Sequence, residues 1–466
     1  MSWNSENLSP PPVLRGRARV GVSLGTRRSA PTPSLPRGTG GGGFLILLAT
    51  VLALQQFSAG AMTYYVSPAG NDVGPGVRAA PWQTLQRAAR SLQPGDTVYV
   101  FKGDYAGFVL GWDTPVTGTP AAPITFKAET GATIVSRNNK TPDGIDLEPG
   151  CSDIVIDGFT VNNSDGSIRR AGIRICGSDR VHVINNDCEN NGTWGIFGSH
   201  DNDLLIENNI TANSVRQHGI YVSNSADHPI VRGNTIFGNA QCGIHLNGDA
   251  SQGGNGLITG AIIENNIIHD NGKSGGAAIN CDGVVDSVFR CNLLYENHSS
   301  GFAIFHEDGA HGSTGNIIVN NTIVMASDAR WAININAQST NNTLCNNIIL
   351  NENSDRGSIT VSGDSLEGLI SDYNILQPRF SLDDDDLGGI AAWRRRSGLD
   401  WHSTVALAES IFVDPAGHDY HLKCPGPAIA AGNATPAKDR LPKVDLAGHA
   451  LIGSPDLGAY QFAEKP

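Results

Sequence analysis

Two histidines and one tyrosine in this sequence could perform acid–base chemistry. His218 immediately precedes the segment GIYV, Tyr221 lies within it, and His245 holds the equivalent position in the related segment GIHL. An imidazole titrates near neutral pH, so His218 or His245 could remove a proton from a substrate and Tyr221 could donate one to a departing oxygen. A histidine at a strand or turn more often only forms hydrogen bonds, and that alternative stays open.

Charged residues around these three could stabilise negative charge. Arg216, Arg232 or Lys273 could neutralise a carboxylate that gains charge as a neighbouring proton leaves. Carboxylates also follow three of the related segments: Asp249, Asp282, Glu307 and Asp308. Calcium prefers such oxygen ligands, so these four residues are a candidate calcium site. Solvated turn residues are the alternative for both the basic and the acidic set.

Polar and aromatic side chains should share an outward surface with His245. Apolar and other residues alternate with a period of two in the GI-x-V segments, which places every second side chain on the outside of a strand. The candidate substrate-binding residues are Arg174, Asn247, Asn280, Phe305 and His306. Aligning the segments places Ala278 and Ala303 next to His245, and these small residues would leave a depression beside it.

Composition excludes two broad classes of protein. The 466 residues are 39% hydrophobic and carry a formal charge of −13, with 56 Gly. This aliphatic content is too high for a disordered chain. Residues 1–61 hold six Arg and one Glu, and the rest of the chain has 26 basic against 44 acidic residues, a net charge of −18. A nucleic-acid partner is not expected, because phosphate binding needs a basic surface.

The first 61 residues resemble a secretory leader. Residues 44–54 form an apolar run, FLILLATVLAL, and Ala59-Gly60-Ala61 fits a small-residue cleavage site. The run is too short to cross a bilayer, so no stable membrane insertion is expected after its removal. We therefore predict a secreted, periplasmic or cell-surface protein, most simply a monomer.

A repeated pair of short strands organises the rest of the chain. The first strand of each pair starts 23 to 34 residues after the previous one, as in GIRI, GIFG, GIYV and GIHL. The second strand ends in Asn at seven places: Asn186, Asn209, Asn234, Asn266, Asn292, Asn321 and Asn347. Strands that recur only once per unit cannot pair as hairpins and must stack in parallel. The pattern predicts an all-β solenoid, a parallel β-helix with a ladder of Asn amides.

Both ends of this solenoid need covers. An amphipathic helix is predicted at about residues 82–92, with Leu85, Ala88, Ala89 and Leu92 on one face that would plug the apolar interior. The repeats end near Leu376, and the remaining tail contains a short helix at about 391–397. We predict a leader at 1–61, a β-helix with an N-terminal cap at 62–376, and an irregular C-terminal cap at 377–466.

Eight cysteines occur without any CxxC pair. Most lie within repeat strands, where small thiols pack well. Free interior thiols are favoured, and disulfides are the alternative because secretion would permit them.

The strings YYVSPAGND, PWQTLQRAARSLQPGDTVYV, FVDPAGHDYHL and PDLGAYQF, together with the GI-x-V and NN repeats, resemble secreted bacterial proteins of the pectate-lyase-like superfamily. The resemblance covers nearly the whole chain after the leader. It implies a right-handed parallel β-helix, a carbohydrate-facing groove along one sheet, and frequent calcium use. It does not fix the reaction, since one fold hosts many activities.

The residues and the resemblance together favour a polysaccharide lyase. Such an enzyme would act on an acidic, uronic-acid polysaccharide by β-elimination, with the catalytic residues drawn from His245, His218, Tyr221, Arg216 and Lys273. A glycoside hydrolase, a C5-epimerase and a non-catalytic carbohydrate-binding or surface protein are the alternatives.

Overall fold

The computed structural model describes residues 60–451 and 453–463, and the predicted leader lies almost entirely outside them. The described chain winds as a β-solenoid of about 11 turns, as predicted. Each coil contributes one strand to each of three 12-stranded sheets. The sheets are numbered here in the order in which a coil meets them. Neighbouring strands in all three are parallel, except for the last pair of sheet three, Phe380–Leu382 with Asp385–Leu387.

Sheet one contains strands Thr63–Val66, Thr97–Val100, Ile124–Ala128, Ile154–Asp157, His182–Ile184, Leu205–Glu207, Ile230–Arg232, Ile262–Glu264, Val288–Arg290, Ile317–Val319, Thr343–Cys345 and Ile370–Asp372. Sheet two contains Gly103–Ala106, Ala132–Ser136, Thr160–Asn162, Asp187–Glu189, Ile210–Ala212, Thr235–Phe237, Ile267–His269, Leu293–Tyr295, Thr322–Met325, Ile348–Asn351, Ile375–Leu376 and Thr404–Val405. Sheet three contains Phe108–Leu110, Ile145–Leu147, Ala171–Cys176, Trp194–Ser199, Ile220–Asn224, Ile244–Gly248, Ala277–Asp282, Ser300–Phe305, Ile333–Ile335, Ile359–Val361, Phe380–Leu382 and Asp385–Leu387.

Smaller elements decorate this frame. Two minor sheets contain Ala226–Asp227, Ile258–Thr259 and Val284–Val285, and Phe412–Asp414 with Asp419–Leu422. The helices are Leu85–Ala88, Ile390–Ser397 and Ala408–Ile411, and the 3₁₀ turns are Ala250–Gln252, Gly363–Ser365, Pro415–Gly417 and Lys438–Arg440. Among the described residues, no helix is both long enough and apolar enough to cross a membrane.

The repeated NN motif makes the corner between sheets one and two. The first residue of the motif adopts a left-handed conformation, with φ of 57° at Asn185 and 55° at Asn208. Asn tolerates this conformation better than most residues, and Gly233 takes the same place in a later coil. The corner thus needs only two residues, the second of which points inward.

The inward Asn residues form the predicted ladder. All seven are at most 1% exposed. Nδ2 of Asn234 donates to Oδ1 of Asn266 at 2.9 Å, and Nδ2 of Asn266 donates to Oδ1 of Asn292 at 2.9 Å. A second ladder, which the sequence analysis did not predict, occupies the corner between sheets two and three, where Asn239 donates to Oδ1 of Asn271 at 2.9 Å. Both ladders hold successive coils in register.

The interior is aliphatic and aromatic from end to end. The inward residues predicted for sheet three are confirmed, since Ile220, Val222, Ile244 and Leu246 are at most 1% exposed. All eight cysteines are free thiols, and six of them are buried. The favoured thiol interpretation therefore agrees with the structure.

Both covers are present, in altered form. The N-terminal helix spans only Leu85–Ala88, because Trp82 instead bridges to Val66 and Pro94 follows soon after the helix. The predicted apolar face is nonetheless buried. At the other end, Trp393 of helix Ile390–Ser397 is fully buried and stacks on Phe380 at 5.2 Å. Parallel pairing continues past Leu376, because Thr404–Val405 adds a strand to sheet two.

Candidate active site

The outward face of sheet three carries a continuous column of side chains. Residues at the same position in successive coils are Arg174, Phe197, Tyr221, His245, Asn280, Ala303 and Asn334. Placing Ala278 beside His245 was wrong, because His245 pairs with Asn280. The sequence alignment had placed Gly243 opposite Ala277. In the structure Ile244 pairs with Ile279, so Gly243 lies opposite Ala278 and the alignment was wrong by one residue. The polar amide of Asn280, not a methyl group, therefore follows His245.

His218, Tyr221 and His245 form one cluster on this face. Nε2 of His218 lies 3.1 Å from Nδ1 of His245. The Tyr221 ring stacks on the His245 ring with centroids 4.8 Å apart and an angle of 15°. The edge of His218 meets Tyr221 at 5.1 Å. The structure thus brings together the three residues for which acid–base roles were predicted.

Hydrogen-bond directions fix the hydrogen on each imidazole. The backbone N–H of Cys242 donates to Nδ1 of His218 at 3.2 Å, so this nitrogen must carry a lone pair. In the neutral ring the hydrogen then lies on Nε2, which donates to Nδ1 of His245. Nδ1 of His245 is therefore an acceptor, and its hydrogen lies on Nε2. That N–H is buried and has no hydrogen-bond partner among the described residues.

Burial keeps both imidazoles neutral. It lowers the pKa of His218 well below its usual value, and the neighbouring His245 adds to this effect. The pKa of His245 falls to about 4, because burial outweighs the opposing influence of Asn247. A neutral His245 with its hydrogen on Nε2 is a buried hydrogen-bond donor at the end of the pair away from Cys242, and this geometry does not suit it to remove a proton.

Tyr221 is held as a protonated phenol. Burial raises the pKa of its hydroxyl, and the negative charges of Asp308 and Asp249 raise it further. The nearby Asn247 acts in the opposite direction. A phenol that keeps its proton at neutral pH can donate it to a developing oxyanion.

The predicted calcium ligands occupy different environments. Asp282 is buried, and its carboxylate accepts the backbone N–H groups of Glu307 at 2.9 Å, Asp308 at 2.7 Å and Gly309 at 3.2 Å. Oδ1 of Asp249 accepts from the backbone and hydroxyl of Ser251 at 2.8 and 2.6 Å. These bonds shape two turns at the edge of sheet three. The side chains of Glu307 and Asp308 are exposed.

These four acids do not fit a calcium ion in this arrangement. Calcium takes six to eight oxygen ligands, whereas no three of these side chains gather closely enough to share an ion. Two of the four carboxylates already accept hydrogen bonds within the protein. We therefore assign no step of a reaction to a metal at this position, and calcium dependence stays a prediction.

One other group of potential metal ligands lies within the described residues. The ligand atoms of His218, Cys242 and His245 lie within 4.8 Å of one another. An imidazole that binds a metal through Nε2 must carry its hydrogen on Nδ1. Nδ1 of His218 instead faces the backbone N–H of Cys242, so this trio does not fit a metal centre as arranged.

Three of the predicted cations already have protein partners. Arg174 pairs with Asp146 at 2.7 Å and Glu148 at 3.4 Å. Arg216 braces the corner below it by donating to the carbonyls of Gly192 and Arg169 and to the hydroxyl of Thr193. Arg232 pairs with Glu207 on sheet one at 2.6 Å, away from the cluster.

The remaining predicted residues surround the cluster unevenly. Lys273 is exposed in the loop that precedes strand Ala277–Asp282, and no ion pair engages it among the described residues. Asn247 lies opposite Asp282 in the register, and Asp282 lies opposite Phe305. Nε2 of His306 lies 3.0 Å from the carbonyl of Gly309, inside the turn that Asp282 holds. Asn247, Phe305 and His306 thus lie at the edge where the strands of sheet three end, and Lys273 lies before a strand begins.

One cleft among the described residues lies away from this cluster. A cleft of about 880 Å³ at the N-terminal cap is lined by residues that include Arg87, Arg90, Asp104 and Arg137. It contains none of the predicted catalytic residues.

Comparisons with known proteins agree with this architecture. Residues 64–215 match the family model of the Pel9A-like, right-handed β-helix region. The chain is 24% identical over 327 residues to the uncharacterized protein YwoF of Bacillus subtilis (strain 168), covering 57% of this chain and 69% of YwoF.

Two solved structures are similar. The structure of XylC in complex with xylose has a TM-score of 0.51 at 11% identity, covering 87% of this chain and 99% of XylC. Pectate lyase Pel9A has a TM-score of 0.40 at 15% identity, covering 86% of this chain and 96% of Pel9A. At 11% identity the likeness to XylC concerns the fold alone. The described chain is thus a parallel β-solenoid with three long sheets, and its residues 64–215 match the model of the Pel9A-like, right-handed β-helix region.

Proposed function

We propose that this protein is a polysaccharide lyase that cleaves an acidic, uronic-acid polysaccharide by β-elimination. The observation that carries the proposal is the stack of the Tyr221 phenol on His245, whose Nε2–H has no partner among the described residues. β-Elimination develops negative charge on the substrate carboxylate and on the leaving oxygen. The unpaired Nε2–H of His245 suits the first, and the phenol of Tyr221, which keeps its proton, suits the second.

His245 and Asn247 would bind the uronate carboxylate. Removal of the proton next to this carboxylate places extra negative charge on its oxygens. The pair with His218 fixes the His245 ring. Because Nε2 of His245 is buried and Asn247 is only 5% exposed, the substrate must displace the groups that cover them before the Nε2–H and the Asn247 amide can donate hydrogen bonds to these oxygens. The exposed Lys273 is the predicted cation that is free to approach the same charge.

Asp308 is the group best placed to accept the proton. Its exposed carboxylate makes no hydrogen bond or ion pair among the described residues, and its charge reaches the Tyr221 hydroxyl. The carbon–hydrogen bond breaks toward this carboxylate, its electron pair forms the new carbon–carbon double bond, and the bond to the leaving oxygen breaks. Tyr221 gives its proton to that oxygen. This assignment moves the base from an imidazole, as the sequence suggested, to a carboxylate.

The fold relatives give this proposal its context but do not choose the reaction. Solved structures with similar folds include proteins described as a rhamnogalacturonan lyase and as a GH136 lacto-N-biosidase. The choice of β-elimination rests on the residues of the cluster, in particular the neutral, unpaired donor at Nε2 of His245.

A product assay tests the proposal. The protein is incubated with polygalacturonate, alginate and hyaluronan, and the absorbance of unsaturated uronate is followed in the ultraviolet. Absorbing products that Tyr221→Phe does not form support a lyase. New reducing ends without absorbance would identify a hydrolase, and altered uronate configuration without cleavage would identify an epimerase. Binding without turnover would identify a carbohydrate-binding protein.

A further inference from the structure

Two aromatic side chains that are not part of the proposed chemistry extend the cluster by one coil. The Trp194 and Phe197 rings stack with centroids 4.5 Å apart and an angle of 28°. Phe197 meets the edge of Tyr221 at 5.4 Å, and Trp194 lies 5.8 Å from Tyr221. Trp194, Phe197 and Tyr221 are each half-buried, so each keeps some exposed surface.

The position of Trp194 is fixed before any ligand arrives. Its Nε1–H donates to Oε1 of Gln217 in the next coil at 2.8 Å. The hydrogen bond satisfies the indole nitrogen, so the exposed part of Trp194 can contact a ligand without leaving that N–H unpaired. A ring held in this way loses little conformational entropy on binding.

A second aromatic stack in the same molecule, on sheet two, is contacted by another part of the chain and serves as a comparison. Phe237, His269 and Tyr295 stack on the outside of sheet two at 5.0 and 4.7 Å. The C-terminal tail covers this stack, since Tyr295 contacts His418 at 4.9 Å and Tyr420 at 5.4 Å. For Trp194 and Phe197, the ring contacts found among the described residues all lie within the face of sheet three.

We infer that Trp194 and Phe197 form a subsite that binds one pyranose ring of the polysaccharide through its apolar face. The inference rests on the proposed function, because it places the neighbouring sugar at Tyr221 and His245. Successive coils rise by about 4.8 Å, which is comparable with the length of one linked sugar residue. The polymer then runs along the solenoid axis, with the Trp194 subsite on the side toward Arg174.

Binding is measured with the Tyr221→Phe variant, which prevents turnover in the proposed mechanism. Oligosaccharides of galacturonate, mannuronate and hyaluronan are titrated while tryptophan fluorescence and calorimetric heat are followed. We expect a fluorescence change with at least one series, and about tenfold weaker binding after a further Trp194→Ala substitution. Trp194→Phe should retain the affinity and abolish the fluorescence change. Phe237→Ala, on the covered stack, should change neither.

Two results would overturn the subsite. One is an unchanged affinity in Trp194→Ala, and the other is the absence of binding to all three series. The proposed function fails separately: binding that depends on Trp194, in a protein whose wild type forms no unsaturated product, would leave the subsite standing and reject the lyase. Circular dichroism and melting curves confirm that each variant is folded, and Trp194→Phe keeps the test decisive if Trp194→Ala unfolds.

Discussion

Nε2 of His218 lies 3.1 Å from Nδ1 of His245, and this contact determines which nitrogen of His245 can act on a substrate. The backbone N–H of Cys242 donates to Nδ1 of His218, so the hydrogen of His218 lies on Nε2 and is donated to Nδ1 of His245. The outer nitrogen of His245 is left as a donor.

Removing His218 should impair catalysis without removing any group that touches the substrate. In His218→Ala, Nδ1 of His245 loses its donor, and the ring can then carry its hydrogen on either nitrogen. We expect kcat/KM to fall by less than in His245→Ala, for which loss of a fixed donor costs about 10²- to 10³-fold. Steady-state kinetics of the two variants check this order. Equal activity of His218→Ala and wild type would contradict the proposal that His218 holds the hydrogen of His245 on Nε2.

Stability should depend on pH through His245. Its folded-state pKa of about 4 lies below the ordinary 6.5, so the unfolded state binds its proton first as the pH falls. This residue therefore lowers stability progressively from pH 6.5 toward 4 and has no effect at higher pH. Asp146 and Asp201, whose pKa values burial raises to about 6 and about 7, act in the opposite direction.

The contribution of His245 is obtained from the difference in stability between the wild type and a variant that lacks this imidazole. Melting temperatures of wild type and His245→Gln are compared across this range. We expect the wild type to lose more stability than the variant on acidification, and parallel curves would show that His245 is not buried as a neutral base.

Asp282→Asn should act on the turn that follows Phe305. The carboxylate accepts three backbone N–H groups from residues 307–309, and an amide has one acceptor oxygen in place of two. We expect a loss of about 1–3 kcal/mol in unfolding free energy, measured with denaturant. The loss should be the same with calcium and with a chelator. Recovery on addition of calcium would instead support the metal site predicted from the sequence.

The Asn ladder should be a stability element only. In Asn266→Ala, Asn234 loses a side-chain acceptor at 2.9 Å and the carbonyl of Val231 loses its donor at 2.9 Å. The expected cost is about 1–3 kcal/mol. The exposed Asn139 provides the matched control, since Asn139→Ala should unfold like wild type. Loss of turnover without any change in melting temperature would assign the ladder a functional role.

Trp393 should be essential to the C-terminal cover. Its ring is fully buried against Phe380, and its Nε1–H donates to Oδ2 of Asp400 at 2.8 Å. Trp393→Ala should lower the unfolding free energy by about 3–5 kcal/mol and promote aggregation, because the solenoid interior would be opened. Replacing the exposed Trp401 with alanine is the control. A soluble monomer of unchanged stability would refute the capping role.

The repeats could be predicted because each coil needs the same residues in the same order. The NN motif places a left-handed residue before an inward amide, and both demands recur at Asn185–Asn186 and Asn208–Asn209. The short alternating strands likewise predicted which side chains of sheet three face in. The second ladder at Asn239 and Asn271 was missed, because its Asn residues are not paired with a constant neighbour.

The site was predicted only in part. The His218, Tyr221 and His245 cluster followed from the strand alignment, but the role of His245 depends on a backbone N–H of Cys242 that no residue type reveals. Asp282 accepts hydrogen bonds from a turn in the next coil. The path of the loop after Phe305 determines this turn, and the residue types do not reveal that path. The alignment of strand Ala277–Asp282 was also wrong by one residue, because the length of the loop before it could not be read from the repeat. Asn280, and not Ala278, therefore follows His245 on the outward face.

The most direct test of the account compares wild type, Tyr221→Phe and His245→Ala on uronic-acid polysaccharides, with unsaturated products followed by ultraviolet absorbance. We predict that the wild type forms absorbing products from at least one polymer. Tyr221→Phe should lower kcat/KM by about 10²- to 10⁴-fold and His245→Ala by about 10²- to 10³-fold, with melting temperatures near that of the wild type. Losses below tenfold in both variants, or an active wild type that forms no unsaturated product, would contradict it.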